Sequence, residues 1–362
     1  MKALFKGLLR FLRKEKLYTA LLVALLVVIA LSWAGSVKHA PAPGGEGARE
    51  AVETYQRAEE AFQQKVEQAG SMEDYLAVHP EARHIFYLLT LGLCLLLGGG
   101  LAVDLMWVFR SDVRRRFARP PLQSRVPWSV AMLAKVLILL GASVVGVGIL
   151  AVLTGHALRL KNAENLYLLL HATAVDALCF FYVLHFVRKA GGTLSDLGLG
   201  APEGGWVREA ARGFAAYLAV IPVFVLTLVL ALMVAQFLNY QPPAHPLVGV
   251  FLEEEKRSPG LVAYSILLAT VLGPCLEEVF FRGFCYPILK RRFGMIPAMA
   301  ASAAFFAFIH ENSFAFWPIF VLGLALVYVY EKRKSLVAPV VLHVTHNCLF
   351  LGYFFLVKQV IL

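Results

Sequence analysis

The sequence predicts an all-α fold, a polytopic membrane helix bundle with about eight or nine transmembrane or re-entrant helices. Two observations carry this prediction. Of the 362 residues, 59% are hydrophobic and only 16% are charged, whereas charged residues make up roughly a quarter of an average soluble domain. The apolar residues are also grouped in runs of about 20, the length at which a helix crosses a bilayer once.

The N-terminal segment predicts a membrane anchor followed by an outer segment. Six basic residues and one acid precede an apolar run at 17–37, and positive charge beside a span marks the cytoplasmic side. Residues 38–83 carry nine acids against five Lys or Arg, so we expect them outside. Within them, Val52, Tyr55, Phe62 and Val66 recur at helical spacing, which predicts an amphipathic helix resting on the bundle or on the membrane surface.

The remaining apolar runs predict eight more helices, with basic clusters between them that mark the inner side. These helices are expected at about 85–109, 127–153, 166–186, 214–238, 260–289, 296–311, 314–331 and 336–360. The helix at 314–331 is short, so its sequence leaves open whether it spans fully or re-enters. Because the basic residues behind the net charge of +10 lie between apolar runs, they indicate topology rather than a nucleic-acid partner.

The predicted helices suggest three parts along the chain. Residues 1–83 form the anchor and outer segment, 84–212 form the preceding membrane helices, and 213–362 form the core. The five cysteines lie within apolar segments and show no CxxC spacing. They therefore predict neither a disulfide framework nor a zinc knuckle.

The predicted core contains a group of charged residues. Charged side chains in the hydrocarbon region cost free energy, so their presence there indicates a structural or functional role. Glu277 and Glu278 are followed by Arg282 in "EEVFFR". On a helix Glu278 and Arg282 share a face, while Glu277 points about 100° away. A buried ion pair that fixes helix packing accounts for Glu278 and Arg282, but it leaves Glu277 without a partner.

Two further motifs place polar groups near the same depth. His310 follows Phe306 by four residues in "FAFIH", and His343 precedes Asn347 by the same spacing in "HVTHN". At 1.5 Å per residue from the inner basic clusters, Glu277, His310 and His343 lie about 20, 24 and 14 Å deep. A carboxylate and a histidine can take a proton from water, and a second histidine with an asparagine can donate to a developing oxyanion. This inventory suits peptide-bond hydrolysis.

The three motifs resemble those of the CPBP family, the CAAX-protease and bacteriocin-processing (ABI) intramembrane proteases. That family carries EExxxR, FxxxH and HxxxN in this order, and every motif position is present at 277–282, 306–310 and 343–347. The resemblance implies an intramembrane glutamic endopeptidase that cuts a protein substrate near its membrane-embedded or C-terminal part. The catalytic residues would be Glu277, which activates water, His310, which assists, and His343 with Asn347, which form the oxyanion site.

The resemblance also implies supporting residues and leaves the cofactor open. Glu278, Arg282 and Phe306 would support the site, and no cofactor is expected. Zinc stays an alternative, because Glu277, His310 and His343 match a three-ligand catalytic site, and His346 adds a further candidate ligand. No G-x-S-x-G or HExxH motif is present, which argues against an ordinary serine hydrolase or zincin.

Other functions would also place charges in the membrane. A catalytically silent scaffold or immunity protein would use them to hold helices together, and a transporter would use them in a pathway. For the protease, we expect a membrane-associated protein or peptide substrate, including a C-terminal sorting segment, with the bilayer as the other partner and no nucleic acid. The Ala-, Arg- and Gly-rich composition and the anchor favour a bacterial cytoplasmic membrane with the N-terminus inside.

Overall fold

The computed structural model describes residues 2–36, 46–117, 126–158, 164–202, 204–240, 246–255 and 257–362, and within them it contains helices and no strand. The helices are α1 (Lys2–Lys14), α2 (Lys16–Ser36), α3 (Glu46–Ala69), α4 (Met72–Val78), α5 (Pro80–Phe109), α6 (Ser111–Phe117), α7 (Val130–Leu158), α8 (Glu164–Lys189), α9 (Trp206–Phe237), α10 (Pro246–Glu254), α11 (Pro259–Phe293), α12 (Met295–Phe308), α13 (Phe316–Arg333) and α14 (Val337–Ile361). The prediction of an all-helical membrane bundle is confirmed.

Each apolar run of the sequence forms a helix, but the helices differ in their capacity to cross a bilayer. Six in the described part of the chain are long and apolar enough: Pro80–Phe109, Val130–Thr154, Glu164–Lys189, Trp206–Phe237, Pro259–Phe293 and Val337–Ile361. Lys16–Leu31 and Met295–Phe308 are shorter apolar helices. Helix α13 has 18 residues and ends in Glu331, Lys332 and Arg333. These lengths describe an integral membrane protein with a short α12–α13 hairpin.

Helix α11 departs from regular α geometry on either side of the two glutamates. It runs continuously through 35 residues, with π-helical turns at Leu268–Leu272 and Val279–Cys285. A π turn holds one extra residue, so it rotates everything beyond it around the helix axis. The uniform 100° rotation used to interpret the sequence therefore fails beyond Glu278. Such turns occur frequently at functional sites.

The contacts of the chain divide it into two compact units, Met1–Gly45 with Arg125–Thr193 and Glu46–Ser124 with Leu194–Leu362. The first unit holds α1, α2, α7 and α8. Within it, Lys135 on α7 pairs with Glu15 at 2.7 Å, and the hydroxyls of Ser143 and Tyr182 lie 2.9 Å apart. The division of the sequence at 83 and 212 stays a prediction.

The second unit contains the amphipathic helix α3, which packs on other helices of the unit. Phe62 and Val66 on its apolar face pack against the buried Tyr75 and Leu76 of α4, and Val360 of α14 joins this cluster. The rings of Phe62 and Tyr75 meet edge to face, with centroids 5.3 Å apart. The sequence predicted that this helix rests either on the bundle or on the membrane surface, and the structure shows it packed on helices of the bundle.

The end of the second unit that carries Lys290 and Glu331 is held by close backbone contacts and buried ion pairs. A methyl group on Gly283 of α11 would lie 2.7 Å from the Leu197 carbonyl oxygen. Glu331 of α13 accepts hydrogen bonds from Tyr286 at 2.8 Å and from Lys290 at 2.5 Å. Because the partners lie more than 40 residues apart in the chain, these contacts fix α11 against α13.

A second ion pair at this end joins α13 to α9. Arg333 donates to both carboxylate oxygens of Glu209, at 2.7 and 3.0 Å, and both side chains are buried. Arg212 donates to the same carboxylate at 2.8 Å. A two-point contact between guanidinium and carboxylate fixes orientation as well as distance, so α9, α11 and α13 form a rigid base for the polar groups above them.

Candidate active site

The second carboxylate of the motif forms the ion pair that the helical spacing predicts. Arg282 Nη1 donates to Glu278 Oε1 at 2.8 Å, and both side chains are fully buried. Nη2 of the arginine donates to the Gly323 carbonyl at 3.3 Å. The guanidinium carbon also lies 4.4 Å from the centroid of the Phe306 ring, close enough for a cation–π interaction. One arginine therefore joins α11, α12 and α13.

The first carboxylate lies at the edge of this buried group. The side chain of Glu277 is 29% exposed, while its Oε2 atom is buried and has no hydrogen-bond partner among the described residues. A buried carboxylate oxygen without a partner is costly and uncommon. Glu278 Oε2 is likewise buried without a partner in the described chain, so what distinguishes Glu277 is its partial exposure and the absence of an ion pair with Arg282 among the described residues.

His343 connects the two glutamates. Its Nδ1 lies 3.0 Å from Glu278 Oε1, and its Nε2 lies 3.9 Å from Glu277 Oε2. Since an ionised carboxylate only accepts, Nδ1 carries the hydrogen in the first contact. The second distance is too long for a direct hydrogen bond and is of a size that a single bridging oxygen can span.

His310 and Phe306 form the next layer of the site. His310 Nδ1 lies 2.8 Å from the Phe306 carbonyl oxygen, so this nitrogen donates and leaves Nε2 with a lone pair. The Phe306 ring contacts both histidines, with centroids 4.9 Å from His310 and 5.6 Å from His343. Phe306 therefore contacts both imidazoles edge to face.

Asn347 lies one turn beyond His343 on α14 and is tied to α11. Its Nδ2 donates to the Ala269 carbonyl at 2.8 Å, and Ala269 belongs to the first π turn. In a π turn some carbonyls lose their regular helical partner and can accept from side chains. The bond fixes the orientation of the amide and leaves its second N–H available.

The family comparison matches the part of the chain that holds these residues. Residues 259–349 match the model of the type II CAAX prenyl endopeptidase Rce1-like family. This segment, about a quarter of the chain, is similar to that family. It includes α11, α12 and α13 and ends two residues after Asn347. No curated protein matches the chain, and no solved structure matches it.

The segment 259–349 brings some of the sequence candidates together and leaves others apart. Glu277, Glu278, Arg282 and His343 form one contact group, and Phe306 links it to His310. His346 instead packs among aromatic rings, 4.8 Å from the centroid of Phe224 and 6.0 Å from that of Tyr217. No contact of His346 with either glutamate is observed in the described part of the chain.

The zinc alternative needs Glu277, His310 and His343 to converge on one ion, and the expectation of no cofactor stays a prediction. Across the residues that the structure describes, no three His, Cys, Asp or Glu side chains are grouped so that they could hold a metal ion. We therefore derive no step through a metal.

Several parts of the site were missed by sequence reasoning. The carbonyls of Ala269 and Gly323, which hold Asn347 and Arg282, are backbone groups and leave no mark in a side-chain pattern. The contact of His343 with Glu278 crosses 65 residues, whereas the sequence assigned His343 to the oxyanion site or, in the zinc alternative, to the ligand set. The one feature of the sequence that could have indicated the Arg282 acceptor is the glycine at 323. It marks a close approach of two helices, since a methyl group there would lie 3.1 Å from the Ala303 backbone.

Proposed function

We propose that this protein is an intramembrane endopeptidase in which Glu277 activates the hydrolytic water. One observation carries the proposal: the buried Glu277 Oε2 has no hydrogen-bond partner in the described chain and lies 3.9 Å from His343 Nε2. The match of residues 259–349 to a family of prenyl endopeptidases supports peptide hydrolysis as the reaction. A carboxylate that is not engaged by an arginine can accept a proton.

Charge balance supports a donor role for His343. Glu277 and Glu278 together carry two negative charges and Arg282 carries one positive charge, so a protonated His343 makes the buried group neutral. Neutral groups are the ones that a low-dielectric interior tolerates. In this state Nδ1 donates to Glu278 and Nε2 presents a second N–H, which can donate to a substrate carbonyl oxygen.

The remaining groups give a complete hydrolytic cycle. Glu277 takes one proton from water while the second O–H of that water stays intact and donates a hydrogen bond to His310 Nε2, and the resulting hydroxide oxygen attacks the carbonyl carbon of the substrate. The oxyanion receives hydrogen bonds from His343 Nε2 and from the free N–H of Asn347. When the C–N bond breaks, Glu277 returns its proton to the leaving nitrogen, which departs as an amine.

The substrate we propose is a membrane-associated protein or peptide, with the protease in a bacterial cytoplasmic membrane and its N-terminus inside. The polar residues lie on membrane helices, so a substrate must reach them from the bilayer or along its surface. A C-terminal membrane anchor of an exported protein fits this requirement, because its cut site lies beside the span. In this proposal the reaction needs no cofactor.

Comparative proteomics of membrane and secreted fractions tests the proposal. One strain would carry the wild-type protein, a second Glu277→Gln and a third Glu311→Gln. The third is the control, because it removes a carboxylate from an exposed position beside His310. We expect one or more membrane proteins to stay uncut only in the Glu277→Gln strain. If that strain processes every protein as the wild type does, the proposal fails.

A catalytically silent scaffold is the second candidate, and one observation favours it. Arg282 joins three helices through Glu278, Gly323 and Phe306, so the group would stabilise the bundle without any reaction. In that case Glu277→Gln and His310→Ala would lower stability or partner binding, and purified protein would cleave no candidate substrate. Stable, inactive Glu277→Gln protein would argue for the protease.

A further inference from the structure

The α12–α13 hairpin does not reach across a full bilayer. Both helices begin or end at the basic side, near Gly294 and Lys334. Helix α12 has 14 residues and α13 has 18, which correspond to about 21 and 27 Å. Since the hydrocarbon core is about 30 Å thick, the connection between the helices at 309–315 lies below the opposite surface.

This connection is polar and belongs next to water. Glu311 and Ser313 are exposed, and Asn312 Oδ1 accepts from the Ala315 backbone at 3.0 Å. Irregular backbone at membrane depth is tolerated only inside protein or beside a water-filled cavity. Because His310 directly precedes Glu311, water at the connection also reaches the candidate active site.

The opposite route is closed by packing. Every residue from Glu278 to Ile288 is buried, all around the helix. The 3-10 turn Ser195–Leu197 packs on this stretch at Gly283, and the Glu331 contacts with Tyr286 and Lys290 lie below it. In contrast, Glu277 and Cys275, immediately before the buried stretch, are only half-buried.

We propose that the active site opens through a water-filled vestibule on the side of the membrane where α3 packs, which the charge pattern assigns to the outside. Helix α3 marks this side because Tyr55 contacts Phe354 near the end of α14, with ring centroids 6.2 Å apart. This inference rests on the proposed function. The substrate is then an unfolded segment of an exported protein, entering from the outer surface beside its membrane anchor.

Cysteine labelling of the full-length protein in intact spheroplasts tests the vestibule. A cationic, membrane-impermeant methanethiosulfonate would be applied before and after permeabilisation, and each cysteine quantified by mass spectrometry. We expect the native Cys275, two residues from Glu277, and an introduced Ser313→Cys to react in intact spheroplasts. Lys334→Cys, at the exposed inner end of α13, should react only after permeabilisation.

Two native cysteines serve as internal controls. Cys94 is exposed on the membrane helix α5, and Cys285 is buried in the closed stretch of α11. The reagent reacts with the thiolate, and lipid or protein surroundings suppress formation of the thiolate. Cys94 and Cys285 should therefore each react on the order of ten-fold or more slowly than Cys275. Equal rates at Cys94 and Cys275 would contradict an aqueous route.

The outcomes separate this inference from the proposed function. Labelling of Cys275 only after permeabilisation would place the opening on the inner side, and labelling in neither condition would exclude an aqueous vestibule. Either result overturns the inference. The Cys275 measurement uses wild-type protein and needs no substrate. A protein without peptidase activity can therefore still show an outer vestibule, and a protein with peptidase activity can lack one.

Discussion

His343 Nδ1 and Arg282 Nη1 approach the same oxygen of Glu278, at 3.0 and 2.8 Å. The histidine comes from α14 and the other two residues from α11, so the ion pair of one helix orients the imidazole of another. A carboxylate behind a histidine fixes which nitrogen carries hydrogen. Through this contact Glu278 determines the nitrogen that His343 presents to Glu277.

His343→Ala should abolish turnover, because it removes both the proposed oxyanion donor and the contact between the glutamates. The loss of one such donor typically lowers kcat by about 10²–10³. His346→Ala is the matched control, three residues further along α14 and packed against aromatic rings. We expect it to lower thermal stability and to leave kcat unchanged. Similar losses of kcat in both variants would contradict the proposed role of His343.

Arg282→Met should destabilise the protein by about 3–5 kcal/mol, because it removes the guanidinium that neutralises the buried Glu278 carboxylate. Arg257→Met is the control, since Arg257 pairs with Glu253 at 3.0 Å with the same four-residue spacing but is 48% exposed. Exposed pairs contribute about 0–1 kcal/mol. Unfolding of both variants in mixed micelles measures the difference, and equal destabilisation would show that burial is not decisive.

Gly283→Ala should lower stability by about 1–3 kcal/mol, because the added methyl group would lie 2.7 Å from the Leu197 carbonyl oxygen and overpacks a closed backbone contact. Gly352→Ala is the control inside α14, where no atom lies within 4 Å of the new methyl group. Replacing that glycine should be neutral or stabilise by up to about 1 kcal/mol. Thermal unfolding of the two variants in the same detergent would test this order.

Lys358 and Glu255 should respond unequally to substitution. Lys358 is buried and pairs at 2.5 Å with Glu255, which is 47% exposed. Lys358→Met removes the buried charge and should leave the unfolding free energy unchanged or raise it by about 1 kcal/mol. Glu255→Ala leaves the ammonium without its partner and should lower it by about 1–2 kcal/mol. A larger loss for Lys358→Met would contradict this asymmetry.

Removal of metal should leave the peptidase active. The donors do not form a three-ligand group in the described chain, and the proposed cycle uses only side chains and water. Activity would be measured after chelation, with residual metal determined by elemental analysis. If activity disappears and zinc alone restores it, a metal mechanism replaces the one proposed. Structural loss on chelation would be detected separately by thermal unfolding.

The sequence by itself determined the class of protein and the identity of the polar groups. Long apolar runs fix helices, because a backbone in lipid must satisfy its own hydrogen bonds. Four-residue spacing predicted the Glu278–Arg282 pair, which forms even though Arg282 lies in the π turn Val279–Cys285. The hydrophobic spacing of Tyr55, Phe62 and Val66 likewise predicted the buried face of α3.

Only the tertiary structure decided how these groups meet. The contact of His343 with Glu278 spans 65 residues and depends on how α14 packs against α11, which no local pattern encodes. The two π turns arise where helix contacts outweigh regular hydrogen bonding, so the uniform rotation assumed from sequence fails there. The backbone acceptors at Ala269 and Gly323 appear only once the helices are packed, because every residue carries the same carbonyl.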